Sequence, residues 1–349
     1  MRQFRALNLF LVLIILMISP VFAHANKSRG ISVTTATGES IELYVKSYAL
    51  VIGVSQYRNG WSELPGVLED ANAVSDALEN HGFTVMKVLN PDNQRLKEAF
   101  DGFIAEYGRQ FNDRLLIYYS GHGYTHKKKW GGDMGYLVPA DAPNPHADIN
   151  GFLDKALDMQ QIEVYAKRID SKHALFLFDT CFSGSIFALS KAAPAAITYK
   201  TKEPVRQFIT AGNAEEEVPD ESVFRRQFVA ALNGEGDVNR DGYITGSELG
   251  EFIQTRVLNY SKESQHPQYG KIRDPNLDKG DFVFINVGKT PKTSEKTPVR
   301  INAEETLWKV IEYSKYPEDF QDYLNAYPNG RLRYSQMLCS KKLSSNIPF

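Results

Sequence analysis

Hydrophobic positions along this chain gather into short dense runs separated by helix-length amphipathic stretches. Residues 48–54, 83–89, 115–119 and 174–178 are dominated by Val, Ile, Leu, Phe and Tyr. Such runs read as strands buried on both faces, the condition of a parallel sheet covered by helices. Between them, residues 69–81, about 93–111 and about 160–169 carry apolar positions at helical spacing, and Gly82 stands where the first helix stops. A hairpin-like piece is expected at 136–139, a strand at 207–210, helices at 222–232 and 247–261, and a closing strand at 280–286. Strands alternating with helices of this length predict an α/β fold built on a mainly parallel, right-handed, doubly wound sheet.

The flanks read differently. Arg2 and Arg5 precede an apolar run over 6–18, then Pro20 and Ala23-His24-Ala25. That is the order of a secretory leader over 1–25, cleaved after Ala25 or, as second choice, Ala23. A membrane anchor is the alternative, but the run is short for crossing a bilayer. The expected destination is the periplasm or the exterior, with no membrane association after cleavage. Residues 26–46 are a polar lead-in. Residues 186–204 lack clean periodicity and read as a loop, and 289–300 as a solvated linker. Beyond it, 303–314, 317–326 and 331–342 read as three short helices in a small unit, 301–349, expected to dock on a protein partner.

With 349 residues, 42% hydrophobic and 23% charged, the chain can bury a large core, enough for one large domain and an appendage. A formal net charge of −2 gives no electrostatic basis for nucleic acid as a partner. Two cysteines, Cys181 and Cys339, are no disulfide framework, and both are expected free.

Two segments carry chemistry. Ser120-Gly121-His122-Gly123 follows one apolar run and Asp179-Thr180-Cys181-Phe182-Ser183-Gly184 another. Both reactive side chains therefore fall where strands end, the rim at which open α/β sheets keep their sites. A thiol needs a base to become a nucleophilic thiolate, and His122 can be that base and later protonate a leaving amine. The backbone N–H groups of Gly123 and Cys181 are placed to form an oxyanion hole. The plainer alternative is an inert buried cysteine and a satisfied core histidine. Tyr118-Tyr119 reads as core packing.

With Tyr48-Ala49-Leu50-Val51-Ile52-Gly53-Val54 and Tyr136-Leu137-Val138-Pro139-Ala140-Asp141, these segments make residues 48–287 resemble a bacterial caspase-fold cysteine peptidase of peptidase family C14. The resemblance is closer to metacaspases than to animal caspases. It implies a caspase-like three-layer αβα sandwich over 47–288 and catalytic His122 and Cys181 acting through an acyl-enzyme. It also bears on specificity. Caspases cut after Asp, with arginines and a glutamine around the pocket, but Asp179 and Leu64 stand at two of those positions. Metacaspases cut after Arg or Lys, and their two pocket aspartates match Asp179 and Asp70. Two carboxylates facing one pocket favour a cation at P1, so the implied partners are proteins or peptides with Arg or Lys there. A helix-start charge for Asp70 and a structural acceptor for Asp179 are the alternatives. Phe182 departs from the His usual after the metacaspase nucleophile. Caspase-like enzymes are often processed in the region of 186–204, where Lys191, Lys200 or Lys202 would suit such a pocket; an ordinary loop accounts for them equally.

A second motif runs from Asp237 to Glu248 and satisfies every position of the calcium-loop pattern D-x-[DN]-x-[DN]-G-x₅-E. Asp237, Asn239, Asp241 and the Tyr243 carbonyl are the expected direct Ca²⁺ ligands. Thr245 would act through water and Glu248 would close the site bidentately. A solvated acidic turn is the alternative. The calcium residues of metacaspases lie elsewhere, so the resemblance does not extend to this loop. The expected function is an exported, calcium-binding cysteine endopeptidase. A calcium-stabilised, proteolytically silent adaptor is the competing reading, and transpeptidation would use the same acyl-enzyme.

Overall fold

A computed structural model of the protein describes residues 30–35, 38–130, 132–181, 187–189, 197–213, 216 and 222–287; for Cys181, 187–189 and Lys200 it describes the backbone alone. The chain divides into two compact units, Met1–Thr290 and Pro291–Phe349, and every described residue belongs to the first. The expected leader, linker, C-terminal helices and Cys339 lie outside the described residues, as does Lys191.

In chain order the elements are β1 (Ile31–Thr34), β2 (Ser40–Tyr44), β3 (Ser47–Gly53), α1 (Gly66–Asn80), β4 (Thr84–Leu89), α2 (Asn93–Tyr107), β5 (Arg114–Ser120), β6 (Gly123–His126) and β7 (Met134–Leu137). There follow α3 (Ile149–Lys155), β8 (Leu157–Asp158), α4 (Met159–Arg168), β9 (His173–Cys181), β10 (Phe187–Leu189) and β11 (Val205–Gly212). The described part closes with α5 (Val223–Ala230), β12 (Tyr243–Thr245), α6 (Gly246–Tyr260), β13 (Gln268–Ile272) and β14 (Val283–Ile285).

The central sheet has the order β10-β13-β11-β9-β5-β3-β4. Its five strands from β11 to β4 are mutually parallel, and β13 runs antiparallel to β11 and β10. Successive strand side chains point to opposite faces, so each apolar run feeds two cores. Leu50, Ile52, Ile117, Tyr119, Phe176 and Phe178 pack with α2 and α4 on one side. Ala49, Val51, Leu116, Tyr118, Leu175 and Leu177 pack with α1, α5 and α6 on the other. This is the expected α/β sandwich.

Helix starts follow local chemistry. Asp92, Asp158 and Ser222 accept from backbone N–H groups three residues on, and Thr245 with Glu248 forms a reciprocal capping box. One expectation is corrected. The polar lead-in contains the β1–β2 hairpin, whose Ile41 and Leu43 alternate with exposed Glu42 and bury their side chains. The expected closing strand falls on β14, which pairs with β12 rather than with the main sheet. The strand β13, with Gly270 and Lys271 in it, has no apolar run to announce it.

Candidate active site

His122 sits just past the C-terminal end of β5, and Cys181 ends β9, the adjacent parallel strand; Ser120 is in register with Asp179. Both segments therefore come to one rim of the sheet by strand pairing alone. The Cys181 side chain is not among the described atoms.

The imidazole is held from the β3–α1 loop. Its Nε2 lies 2.9 Å from the Ser62 carbonyl and 3.2 Å from Ser62 Oγ. A carbonyl accepts and does not donate, so Nε2 carries the proton and Nδ1 is left as the basic nitrogen. The ring lies between Tyr57 and Trp61, with centroids at 4.8 and 4.9 Å. Burial lowers the His122 pKa, with the Ser62 carbonyl opposing that shift by favouring the charged form. The Tyr57 hydroxyl accepts the His122 backbone N–H at 2.7 Å, and Tyr119 Oη lies 3.0 Å from the His122 carbonyl. Gly121 makes this approach possible: its φ is +156°, and a Cβ there would stand 2.8 Å from Tyr57 Oη and 2.9 Å from Tyr119 Oη. Gly123 opens β6, opposite Leu137 of β7.

Asp70 and Asp179 do come together, but not as two open carboxylates. Asp179 is buried on the α1/α5 face of the sheet; its Oδ2 accepts from Tyr118 Oη at 2.7 Å and from Ser222 Oγ at 2.5 Å. Its Oδ1 is buried without a hydrogen-bond partner among the described residues. Burial, and then the nearby Asp70 charge, push the Asp179 carboxyl up to about 7, while Ser222, Tyr118 and Arg225 pull it down. Asp70, also buried, pairs with Arg225 Nε at 2.7 Å. The two aspartates matched to a pocket are thus near one another, with a guanidinium of the chain standing on Asp70. Ser222 and Arg225 both belong to the start of α5, and Ser222 Oγ also caps that helix.

The 237–248 loop has the turn pattern of its motif. Asp241 N–H donates to Asn239 Oδ1, Gly242 N–H to Asp237 Oδ2 and Tyr243 N–H to Asp241 Oδ1. Gly242 has φ +91°, a left-handed turn that favours glycine. Asp237 Oδ1 and Glu248 Oε1 are buried and unpartnered among the described residues, the acceptors a hard cation would satisfy. Glu248 Oε2 accepts from Thr245 N–H at 2.9 Å and Oγ1 at 3.0 Å. Burial pushes Glu248 up to about 7, and the Asp241 charge adds to the rise. Among the described residues no three His, Cys, Asp or Glu side chains already stand close enough to hold a metal. Coordination would therefore draw these carboxylates together, trading part of the Thr245–Glu248 bond.

Of the expected cleavage positions, Lys202 lies in a 3₁₀ turn, Tyr199–Lys202, with its ammonium 4.4 Å from the Tyr199 ring centre. Lys200 shares that turn; its side chain is outside the described atoms. Sequence reasoning missed Tyr57, Trp61, Ser62, Ser222 and Arg225, none of which stands in a catalytic motif. Tyr118 and Tyr119 are core residues as expected, yet their hydroxyls serve Asp179 and the His122 turn.

A solved structure of a Geobacter sulfurreducens protein is similar to 67% of this chain and 97% of its own, at 15% identity and a TM-score of 0.45. No curated protein matches the chain. A family model described as the caspase domain of peptidase family C14 matches residues 46–297, from just before β3 to past β14. That match spans well over half of the chain, and with the caspase-type α/β sandwich and its two strand-end motifs it makes this protein a member of the C14 caspase-domain family.

Proposed function

We propose that this protein is an endopeptidase working through a His122–Cys181 dyad and cleaving after Arg or Lys. The observation that carries this reading is the imidazole pinned by Ser62, with Nδ1 left basic at the rim where β9 delivers Cys181. Nδ1 takes the thiol proton and the thiolate attacks the scissile carbonyl carbon. The N–H groups of Gly123 and Cys181 hold the oxyanion. The C–N bond breaks as His122 returns its proton to the leaving amine. Water, deprotonated by His122, then attacks the thioester carbonyl; the C–S bond breaks, the carboxylic acid product leaves, and the thiolate takes its proton back from His122.

The pocket reading is supported by the unpartnered Asp179 Oδ1, a buried carboxyl oxygen that no described residue satisfies. The 237–248 loop is proposed to hold one Ca²⁺ through Asp237, Asn239, Asp241, the Tyr243 carbonyl and Glu248, with Thr245 acting through water. Its role there is electrostatic, neutralising buried carboxylates and fixing the loop between α5 and α6. The 1–25 leader is proposed to direct export.

The test pairs a thiol-directed covalent probe with a peptide library varied at P1, each with calcium and with chelator. Labelling of Cys181 that requires His122, with turnover favouring Arg and Lys, supports the proposal. Absence of both labelling and turnover leaves the silent adaptor standing instead. Cleavage predominantly after Asp overturns the pocket assignment alone.

A further inference from the structure

The two buried acids assigned to the proposed P1 pocket are joined by a cation of the chain itself. Asp179 on β9 is faced by Tyr118 from β5, by Asp70 from α1, and by Ser222 and Arg225 from α5, while Glu69 of α1 faces Arg225. Among these described residues Arg225 is the one cation. Its side chain is 17% exposed and its Nε lies 2.7 Å from Asp70 Oδ1, whereas its Nη2 reaches Glu69, itself 78% exposed, at 3.3 Å. The solvent-screened Glu69 bond counts for little; the buried Asp70 bond counts for much.

We propose that Arg225 is a specificity-determining residue that sets the charge of the P1 pocket, leaving room for a single monovalent cation from the substrate. This rests on the basic-P1 reading and deepens it. With Asp70 and Asp179 both ionised the pocket carries two negative charges. Arg225 reduces that to one, and a substrate Arg or Lys then brings it to zero. A buried site is most stable when its charges balance, because an uncompensated ion in low dielectric is costly. Without Arg225, two carboxylates this close would share a proton and present themselves half-neutralised. Arg225 touches no reacting atom; it acts through Asp70 and Asp179 and is a positioning residue.

The division of labour follows from geometry. Asp70 is the acid that Arg225 occupies, and Asp179 keeps an unpartnered oxygen for the substrate. A chain with two open acids would require the substrate to satisfy both.

Charge arithmetic makes the idea testable by paired substitutions. The readout is kcat/KM on two peptides differing only at P1, Arg against Gln, measured across pH. Arg225→Gln should move the acid limb for the Arg peptide upward by about one pH unit, with the loss carried in KM, about tenfold on the acid side. Arg225→Lys should keep the wild-type limb. Asp70→Asn leaves Asp179 opposed by Arg225, a neutral pocket, and should lower the Arg-over-Gln ratio by about tenfold or more. The double variant Asp70→Asn with Arg225→Gln restores a single negative charge and should recover the ratio. Should Arg225→Gln alone fail to fold, the Asp70→Asn single and double variants answer the same question with neutral partners in place. A double variant as unselective as Asp70→Asn, or an unmoved limb in Arg225→Gln, overturns the role of Arg225. If wild type cuts the Gln peptide as well as the Arg peptide, the pocket reading itself has failed, a different result.

Discussion

Replacing Asp179 by Asn should stabilise the fold at alkaline pH while removing selectivity for a P1 cation. The carboxyl is held near 7 against an ordinary 3.8, so close to three pH units separate its folded and unfolded behaviour. Between about pH 4 and 7 the unfolded chain has released this proton and the native chain still holds it. Native stability therefore falls as pH rises through that window, and the loss is complete above the folded value. At 1.36 kcal/mol per unit the ceiling is about 4 kcal/mol at about pH 8. Asn keeps an acceptor for Tyr118 and Ser222 but puts an amide N–H₂ where Oδ1 lacks a partner, which costs about 1–3 kcal/mol. The net expectation is a gain of about 1–3 kcal/mol at about pH 8, and no gain or a small loss at about pH 5. Urea unfolding of both forms at the two pH values, on a Cys181→Ala background to prevent self-cleavage, reads this directly. A difference of the same sign and size at both values would refute the argument, because a packing effect carries no pH dependence.

Other outcomes follow from the same packing. Trp61→Ala opens one wall of the His122 cage, so the imidazole pKa should rise toward its ordinary value and the acid limb of kcat/KM should move up; an unchanged limb would sink the burial explanation. Gly121→Ala places a methyl against the Tyr57 and Tyr119 hydroxyls and should cost about 1–3 kcal/mol in a denaturant titration, with activity falling further because His122 is displaced. Calcium affinity by calorimetry should weaken about tenfold from about pH 8 to pH 6, since the cation must displace the proton that Glu248 holds near 7. Glu248→Gln should remove most of that dependence, and a pH-independent affinity would exclude Glu248 as a ligand.

Much of the frame was legible along the chain. Buried parallel strands announce themselves as apolar runs because both faces are covered, and 48–54, 115–119 and 174–178 fall on β3, β5 and β9. Gly82, with φ +78°, stands just past α1 as its place in the pattern implied. The strands the sequence hid are those lacking such a signature: β13, polar and glycine-containing, is fixed by its ladder to β11 and not by burial propensity. The alternation of Ile41 and Leu43 around Glu42 was present but too short to stand out within a polar stretch.

The candidate site divides in the same way. Residue type and strand-end position single out His122 and Cys181, the family resemblance adds Asp179, and the spacing of acids singles out the 237–248 loop, because each is carried by a short contiguous motif. Ser62, 60 residues before His122, and Arg225, 155 residues after Asp70, join the site only through the folded chain. No periodicity links such positions, since a carbonyl that fixes a tautomer, or a guanidinium that balances a buried acid, can come from any loop or helix end the sheet brings near. Composition and motif determined which groups could do chemistry here. Packing of α1 and α5 against the β5–β9 face decided which buried carboxylate is paired with a guanidinium and which keeps an unpartnered oxygen, because electrostatic balance depends on distance and burial and not on order along the chain.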